Sequence, residues 1–433
     1  MSEPPWHSTT GIAHMLLDVT EQWRPQTYYA FDLTTPDRPP LEGSQVFDAV
    51  VVGAGFAGIS AALEFASSGM TVVVLEREHV AAGASGRNGG ILLLSEGTHL
   101  ADAEEVSAVD KALGATAREL VELAEKHLID IDLRRGTIRL AITGRQARAL
   151  AATASSSGAS GGARFLNREE LREHIRSARY TGGLYERDNI TLNPHKLLEG
   201  LASLAEERGA VVAESSEVTG VEPSAGGGVI VRTRDGEVRA QRLVVAAGTG
   251  TGSLLPSHRK LLVTAYSQIA VTEPIDEQLL DSVLPSWAAT SEIATFSRYF
   301  RRLPDNRLLF GIGTLFDSIA GPGLEQRIRS ELRDTFPELG DVPFQSAWEG
   351  DIASTVEETP LLDRVAPSAV LTSSNGVLAS WNAGRIAARS TDPAYAAYDS
   401  LRTNKHTEWP LMGLPEQLLK TGAKALFRIR DRL

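Results

Sequence analysis

Residues 47–52, FDAVVV, form an unbroken apolar run rich in β-branched side chains, the pattern of a parallel strand buried on both faces. The next stretch, AGISAALEFASSG (57–69), changes to helical spacing and ends at Gly69, a C-cap residue. TVVVLE (71–76) then repeats the buried-strand pattern. Strand, glycine turn, helix and strand within about thirty residues make one βαβ unit. Further on, 103–128 has the periodicity of a helix. Asn167 and Glu170 are spaced as a capping box, and Asn193-Pro194 opens a helix over 192–210. Two strand patterns meet at Asp235-Gly236, a hairpin turn. Residues 257–350 are mostly strand-like and include a second hairpin, SRYFRRLPDNRLLFGIG (297–313). Residues 153–164 read as a small-residue surface loop, and 415–433 as a basic amphipathic helix.

The turn inside the βαβ unit is Gly53-Ala54-Gly55-Phe56-Ala57-Gly58, a G-x-G-x-x-G fingerprint. Gly53 permits the tight turn, Gly55 lets backbone approach a pyrophosphate, and Gly58 lets helix meet sheet. Phe56 and Ala57 open the helix, whose N–H groups face the phosphates. Glu76 ends the second strand, where a carboxylate accepts hydrogen bonds from a ribose 2′-OH and repels a 2′-phosphate. Arg77 follows it. An ADP moiety is therefore expected here, and the fingerprint alone leaves FAD and NAD open.

The sequence beyond Arg77 separates them. Where an NAD enzyme continues into its next helix and strand, this chain runs EHVAAGASGRNGGILL (78–93). Gly83, Ala84, Ser85, Gly89 and Gly90 bring nearly bare backbone to one place, with Arg87, Asn88 and Ile91 interleaved. Such a surface suits a flat ring lying against main-chain amides, so the cofactor expected is FAD. The alternative is a tight glycine turn without a ligand.

With these residues in view, the chain resembles the D-amino-acid-oxidase-type family (glycine oxidase, sarcosine oxidase) of FAD-dependent oxidoreductases, and within it the gamma-glutamylputrescine oxidase subgroup. GASGRNGG and the aromatic TYYAFDLTTPDRPPLEG (27–43) carry the likeness to that subgroup. The resemblance implies a Rossmann-like FAD-binding domain joined to a substrate domain with a mixed or antiparallel sheet, a two-domain flavoenzyme fold. The expected division is 46–100, 190–255 and 350–400 for FAD, and 101–189 with 256–349 for substrate. An N-terminal extension (1–45) and a C-terminal amphipathic helix (401–433) flank them. It further implies FAD contacts at Val218, at Ala246, Ala247 and Gly248, and in a C-terminal flavin loop at Asn382, Ala383, Gly384, Arg385 and Ile386. That loop, GVLASWNAGRIAARSTDP (376–393), is poorer in glycine than the family pattern, which puts FAD retention and redox chemistry in question. No histidine follows GASG, so non-covalent FAD is expected.

The activity implied is oxidation of an amine or amino acid by hydride transfer from the carbon bearing nitrogen to flavin N5, giving an imine, with O2 or another electron acceptor. A dehydrogenase or biosynthetic oxidase, and a flavin-binding protein with little turnover, remain open. No catalytic acid, base or triad is assigned. On the hairpin strand, Tyr299 and Arg301 share one face and Arg298, Phe300 and Arg302 the other. Arg301 is placed to clamp a carboxylate and Tyr299 to stack or hydrogen-bond; solvated arginines on an ordinary hairpin are the competing reading. His99 lines the site or lies at the surface. Trp348 and Trp381 are aromatic walls of the site or core residues.

Composition narrows the partners. The 433 residues carry a net charge of −12 and no cysteine. The charge argues against nucleic acid, and the missing cysteine removes disulfides, thiolate metal sites and flavin tethered through sulfur. No metal site is expected. The N-terminus lacks a basic and then apolar signal pattern, and no run reaches the ~20 apolar residues of a membrane span, so a cytoplasmic location is expected. The basic tail (Lys420, Lys424, Arg428, Arg430, Arg432) touches anionic lipid or, as surface helices usually do, packs on the protein.

Overall fold

The computed structural model describes residues 27–392, apart from position 32 and the stretches 95–102, 157–161, 225–226, 295–296, 316–317, 320 and 356–358. His99 and the tail 401–433 lie outside the described residues. Two sheets organise the chain. The first runs Leu361–Ala366, Ala369–Ser373, Gly236–Val245, Gly43–Val52, Val72–Leu75, Ala210–Ala213, with Gly220–Pro223 and Val229–Arg232 attached beside Gly236–Val245. Its central pairs are parallel, in the register Val50 to Val73 and Val50 to Leu243.

The apolar runs explain this layer. Alternation sends Ala49, Val51, Val72 and Val74 into one core and Val50, Val52, Val73 and Leu75 into the other. Both faces are thus buried, as a parallel sheet requires. The helices Phe56–Ser67, Pro194–Glu207 and Val377–Ser390 cover the first face. Asn193 caps its helix by accepting from the His195 and Lys196 N–H groups, as the Asn-Pro start predicts.

The second sheet runs Phe344–Ser354, Val263–Thr272, Arg307–Leu315, Arg298–Leu303, Ala289–Glu292, Arg134–Ala141, Gly182–Thr191, Ile91–Leu92, with Ala163–Asn167 alongside Gly182–Thr191. It is antiparallel except where Ala289–Glu292 pairs with Arg134–Ala141. The helix Pro322–Thr335 lies in the stretch read as strands; its Leu324, Ile328 and Leu332 pack beside Phe300 and Phe310.

Four expected boundaries shift. The helix Ala103–Lys126 was grouped with the substrate domain, yet Leu113, Ala117, Leu120 and Ala124 join the core around the parallel sheet, because the helix packs against Val377–Ser390 and Pro194–Glu207. Ile91–Leu92 pairs with the second sheet, and Phe344–Ser354 stays in that sheet past residue 350. The loop expected at 153–164 is shorter: the helix Gly144–Ser156 takes its first residues and the strand Ala163–Asn167 its last. Among the described residues no helix is long and apolar enough to cross a membrane, and no cluster of three or more His, Asp or Glu side chains is arranged to hold a metal ion.

Candidate active site

A cavity of about 770 Å³ opens between the C-terminal ends of the parallel strands and the second sheet. Crevices beyond the carboxyl ends of such strands are where open α/β sheets bind ligands. The fingerprint turn lines it through Gly53, Gly55, Phe56 and Ala57. Gly53 has φ +100°, and a Cβ there would sit 2.5 Å from the Ala246 carbonyl oxygen. Gly58 does not line the cavity; a Cβ on it would fall 1.8 Å from the Gly53 oxygen, which is why the helix can start so close under the strand.

Glu76 lines the cavity just after Val72–Leu75, with Arg77 and Glu78 beside it. One of its oxygens accepts from Ala54 N–H (2.8 Å) and the other from Glu78 N–H (3.0 Å). Each carboxylate oxygen keeps a lone pair for a hydroxyl donor. Burial pushes the Glu76 carboxyl above its usual range, although the two backbone N–H groups pull it down.

The stretch 83–90 forms the adjoining wall. Gly83, Ala84, Ser85, Asn88 and Gly89 line the cavity, and Ile91 follows. Ser85 Oγ accepts from the Phe56 N–H at 3.1 Å, joining this wall to the start of the fingerprint helix. Asn88 holds the turn by donating to the Ala84 and Ser85 carbonyls and accepting from Gly90 N–H. On the far side, Val218, Ala246, Ala247 and Gly248 line the cavity as expected, with Glu217, Thr219, Thr249 and Gly250. A Cβ at Gly83 or Gly248 would meet no atom within 4 Å and would project into the cavity itself. The cradle thus has the features FAD needs: a ribose-binding acid, a helix N-terminus, and side-chain-free backbone where a ring would lie.

The profile of the FAD dependent oxidoreductase family (DAO) matches residues 48–390. The chain belongs to this family. It is 29% identical over 405 residues to gamma-glutamylputrescine oxidoreductase of Escherichia coli, covering 91% of this chain and 95% of that one. It is 30% identical over 394 residues to a probable oxidoreductase, OrdL, of Haemophilus influenzae, covering 87% and 90%. Its fold is that of glycine oxidase from Geobacillus kaustophilus, with a TM-score of 0.71 and 20% identity over 84% of this chain and all of that one. This oxidoreductase is an FAD-dependent enzyme of the two-domain flavoenzyme fold.

The second sheet supplies the remaining wall of the oxidoreductase's cavity through Ser267, Ser291, Tyr299, Asp351, Ile352 and Ala353. Tyr299 occupies a slot: a Cβ on Gly89 would stand 2.7 Å from its ring, and one on Gly311, its cross-strand partner, 2.1 Å. Its hydroxyl shares a hydrogen bond with Ser267 Oγ, and burial pushes the phenol well above its usual value. Thr249 Oγ1 donates to Asp351 at 2.9 Å.

Several expected site residues are placed elsewhere. Arg301 shares the Tyr299 face as the alternation predicts, but it is 4% exposed and faces the back of the glycine stretch. Its guanidinium donates to the Gly89 carbonyl (2.9 Å), the Leu192 carbonyl (2.9 Å) and the Tyr29 hydroxyl (3.2 Å). It does not line the cavity as a carboxylate clamp. Gly90, at φ +65°, packs against Leu192 and Arg301. Arg87 also turns away, donating to the Glu349 carbonyl, while its own carbonyl accepts from Trp348 Nε1. Trp348 is wholly buried among Tyr29, Ile269 and Leu309, and Trp381 packs in the parallel-sheet core, so neither is a wall of the cavity.

Asn382, Ala383, Gly384, Arg385 and Ile386 lie inside the helix Val377–Ser390 rather than in a flavin loop. Asn382 accepts from Thr116, and Arg385 pairs with Glu119. The C-terminal residues that reach the cavity are Thr372–Val377 and Ser380. Gly376, at φ +85°, turns the chain into the helix, whose N-terminal turn borders the cavity. Ser-Ser-Asn-Gly at 373–376, a turn cluster ahead of a helical pattern, was the signal for this loop.

Proposed function

We propose that this oxidoreductase oxidises the C–N bond of an amine that carries no carboxylate on the reacting carbon. Bound FAD would supply the electron acceptor, taking hydride at N5 from the carbon bearing nitrogen and passing the electrons to O2. The chain's own part is to bind a neutral amine and keep water from it. The leaving hydride requires a nitrogen lone pair, and the imine formed is hydrolysed by water afterwards.

The observation carrying this reading is the character of the sheet-side wall. Among the described residues, Ile91, Leu93, Ser267, Ser291, Tyr299, Ile352 and Ala353 offer hydroxyls and apolar surface, with Asp351 the one charge and no lysine or arginine. A carboxylate brought there would lose its hydration with no cation among the described residues to replace it. An amine loses its charge more easily, because burial disfavours ammonium. The E. coli relative is named for a derivative of putrescine, a diamine, which supports the same class.

Anaerobic mixing of the yellow protein with pentylamine and with norleucine, which differ by one carboxylate, tests the reading. Pentylamine should bleach the flavin at least tenfold faster, with a rate rising with pH toward the ordinary ammonium pKa of ~10. Norleucine bleaching equally fast would exclude the amine assignment, and no bleaching across a panel of amines and amino acids would exclude C–N oxidation. Reoxidation faster with a quinone dye than with O2 would replace the oxidase by a dehydrogenase.

A further inference from the structure

Residues 27–42 precede the first strand and belong to neither sheet, yet Thr27, Tyr29, Arg38 and Leu41 are each 5% exposed or less. What they touch brackets the glycine stretch at both ends. At one end, the Arg38 guanidinium binds Glu199 (2.8 Å), Glu206 (3.0 Å) and Glu214 (3.1 Å). The Glu214 oxygen that meets Arg38 also accepts from Val80 N–H at 2.9 Å, three residues before Gly83. Leu41 N–H donates to Ser216 Oγ, and Ser216 N–H donates to the carbonyl of Glu76.

At the other end, the Tyr29 ring packs edge-on against Trp348, with centroids 5.8 Å apart, and Trp348 donates to the Arg87 carbonyl. The Tyr29 hydroxyl accepts from Arg301, which itself holds the Gly89 carbonyl. Without the phenol oxygen, one guanidinium N–H loses an acceptor in a buried place. Without Arg38, three carboxylates are left facing one another, and Glu214 is repelled from its place at Val80.

We propose that residues 27–42 are a strap that sets the shape of the FAD-facing glycine stretch, with Tyr29 and Arg38 as positioning residues for the cofactor. The strap fixes residues 80–90 from behind while their small side chains and backbone face the cavity. This inference depends on the FAD site and not on the amine reading, so it is tested with FAD alone.

The test compares Tyr29→Phe, Arg38→Gln and, as a half-buried ion-pair control away from the glycine stretch, Arg139→Gln, which separates Arg139 from Glu186. Two quantities are read: FAD affinity, from quenching of flavin fluorescence on titrating FAD-free protein, and thermal unfolding of the FAD-free protein. Tyr29→Phe and Arg38→Gln should each weaken FAD binding about tenfold, the scale of a lost hydrogen bond to a charged group. Arg139→Gln should leave FAD affinity unchanged. FAD affinity unchanged in Tyr29→Phe, with or without a lower melting temperature, overturns the proposal, because the strap would then be only a structural clasp. Tyr29→Phe keeps the ring on Trp348 and removes a single oxygen, so it decides the matter even where Arg38→Gln does not fold.

Discussion

Gly384→Val should destabilise the FAD-free protein by about 3 kcal/mol, the upper range for overpacking a buried site. The residue lies in mid-helix and not in a cofactor loop. A Cβ on Gly384 would stand 1.9 Å from the Ala57 carbonyl oxygen and 2.7 Å from its carbon. Those atoms are main chain of the fingerprint helix, so no rotamer change can relieve the contact, and the two helices must separate. Separation also shifts the N-terminus of the fingerprint helix, where the pyrophosphate would be held, so FAD affinity should fall with stability. Thermal unfolding of FAD-free protein is the decisive measurement. An unchanged melting temperature with lost FAD binding would return Gly384 to the flavin.

Glu76→Gln should weaken FAD binding and flatten the pH dependence of stability. Burial raises the folded-state pKa of Glu76 above its unfolded value. Its contribution to stability is therefore full below the unfolded pKa and is lost as pH rises through the folded one. The amide drops the charge, but its oxygen can accept only one of the Ala54 and Glu78 N–H groups and its NH2 confronts the other, so the FAD-free variant should melt lower than the parent in acid, with the gap narrowing as pH rises. FAD binding should weaken by roughly 10- to 100-fold, because a charged acceptor for the ribose hydroxyl contributes about 1.5–3 kcal/mol. A variant that binds FAD as tightly as the parent would remove Glu76 from the ribose site.

The nucleotide half of the site was legible because local sequence determines it. Gly53, Gly55, Gly58 and Glu76 lie within one βαβ unit, and their spacing marks the turn, although the Cβ that Gly53 lacks would also meet the distant Ala246 carbonyl. GASGRNGG was legible as a wall of the cavity for the same reason: its small residues cluster in one short stretch. The opposite wall was not, because a strand pattern tells which residues share a face but not what that face meets. Tyr299 and Arg301 illustrate this. Alternation placed them together, and only the fold shows that one reaches the cavity while carbonyls 109 and 212 residues away in sequence engage the other. Trp348 and Trp381 were ambiguous because a large aromatic suits core and pocket equally. The C-terminal loop was misplaced by eight residues because Gly384 was read as a turn residue. A helix glycine facing another helix and one opening a loop look alike in sequence, whereas the turn cluster Ser373-Ser374-Asn375-Gly376 distinguishes itself only once the helix start is known.

The slot between Gly89 and Gly311 gives position 299 an unusual leverage. The chamber beside the glycine stretch is as deep as whatever ring is parked between those two bare backbones. Trimming that ring would open a flat alcove of aromatic thickness without disturbing either flank. The depth of this chamber is therefore set at a single position, with the two glycines acting as the fixed jaws of a gauge.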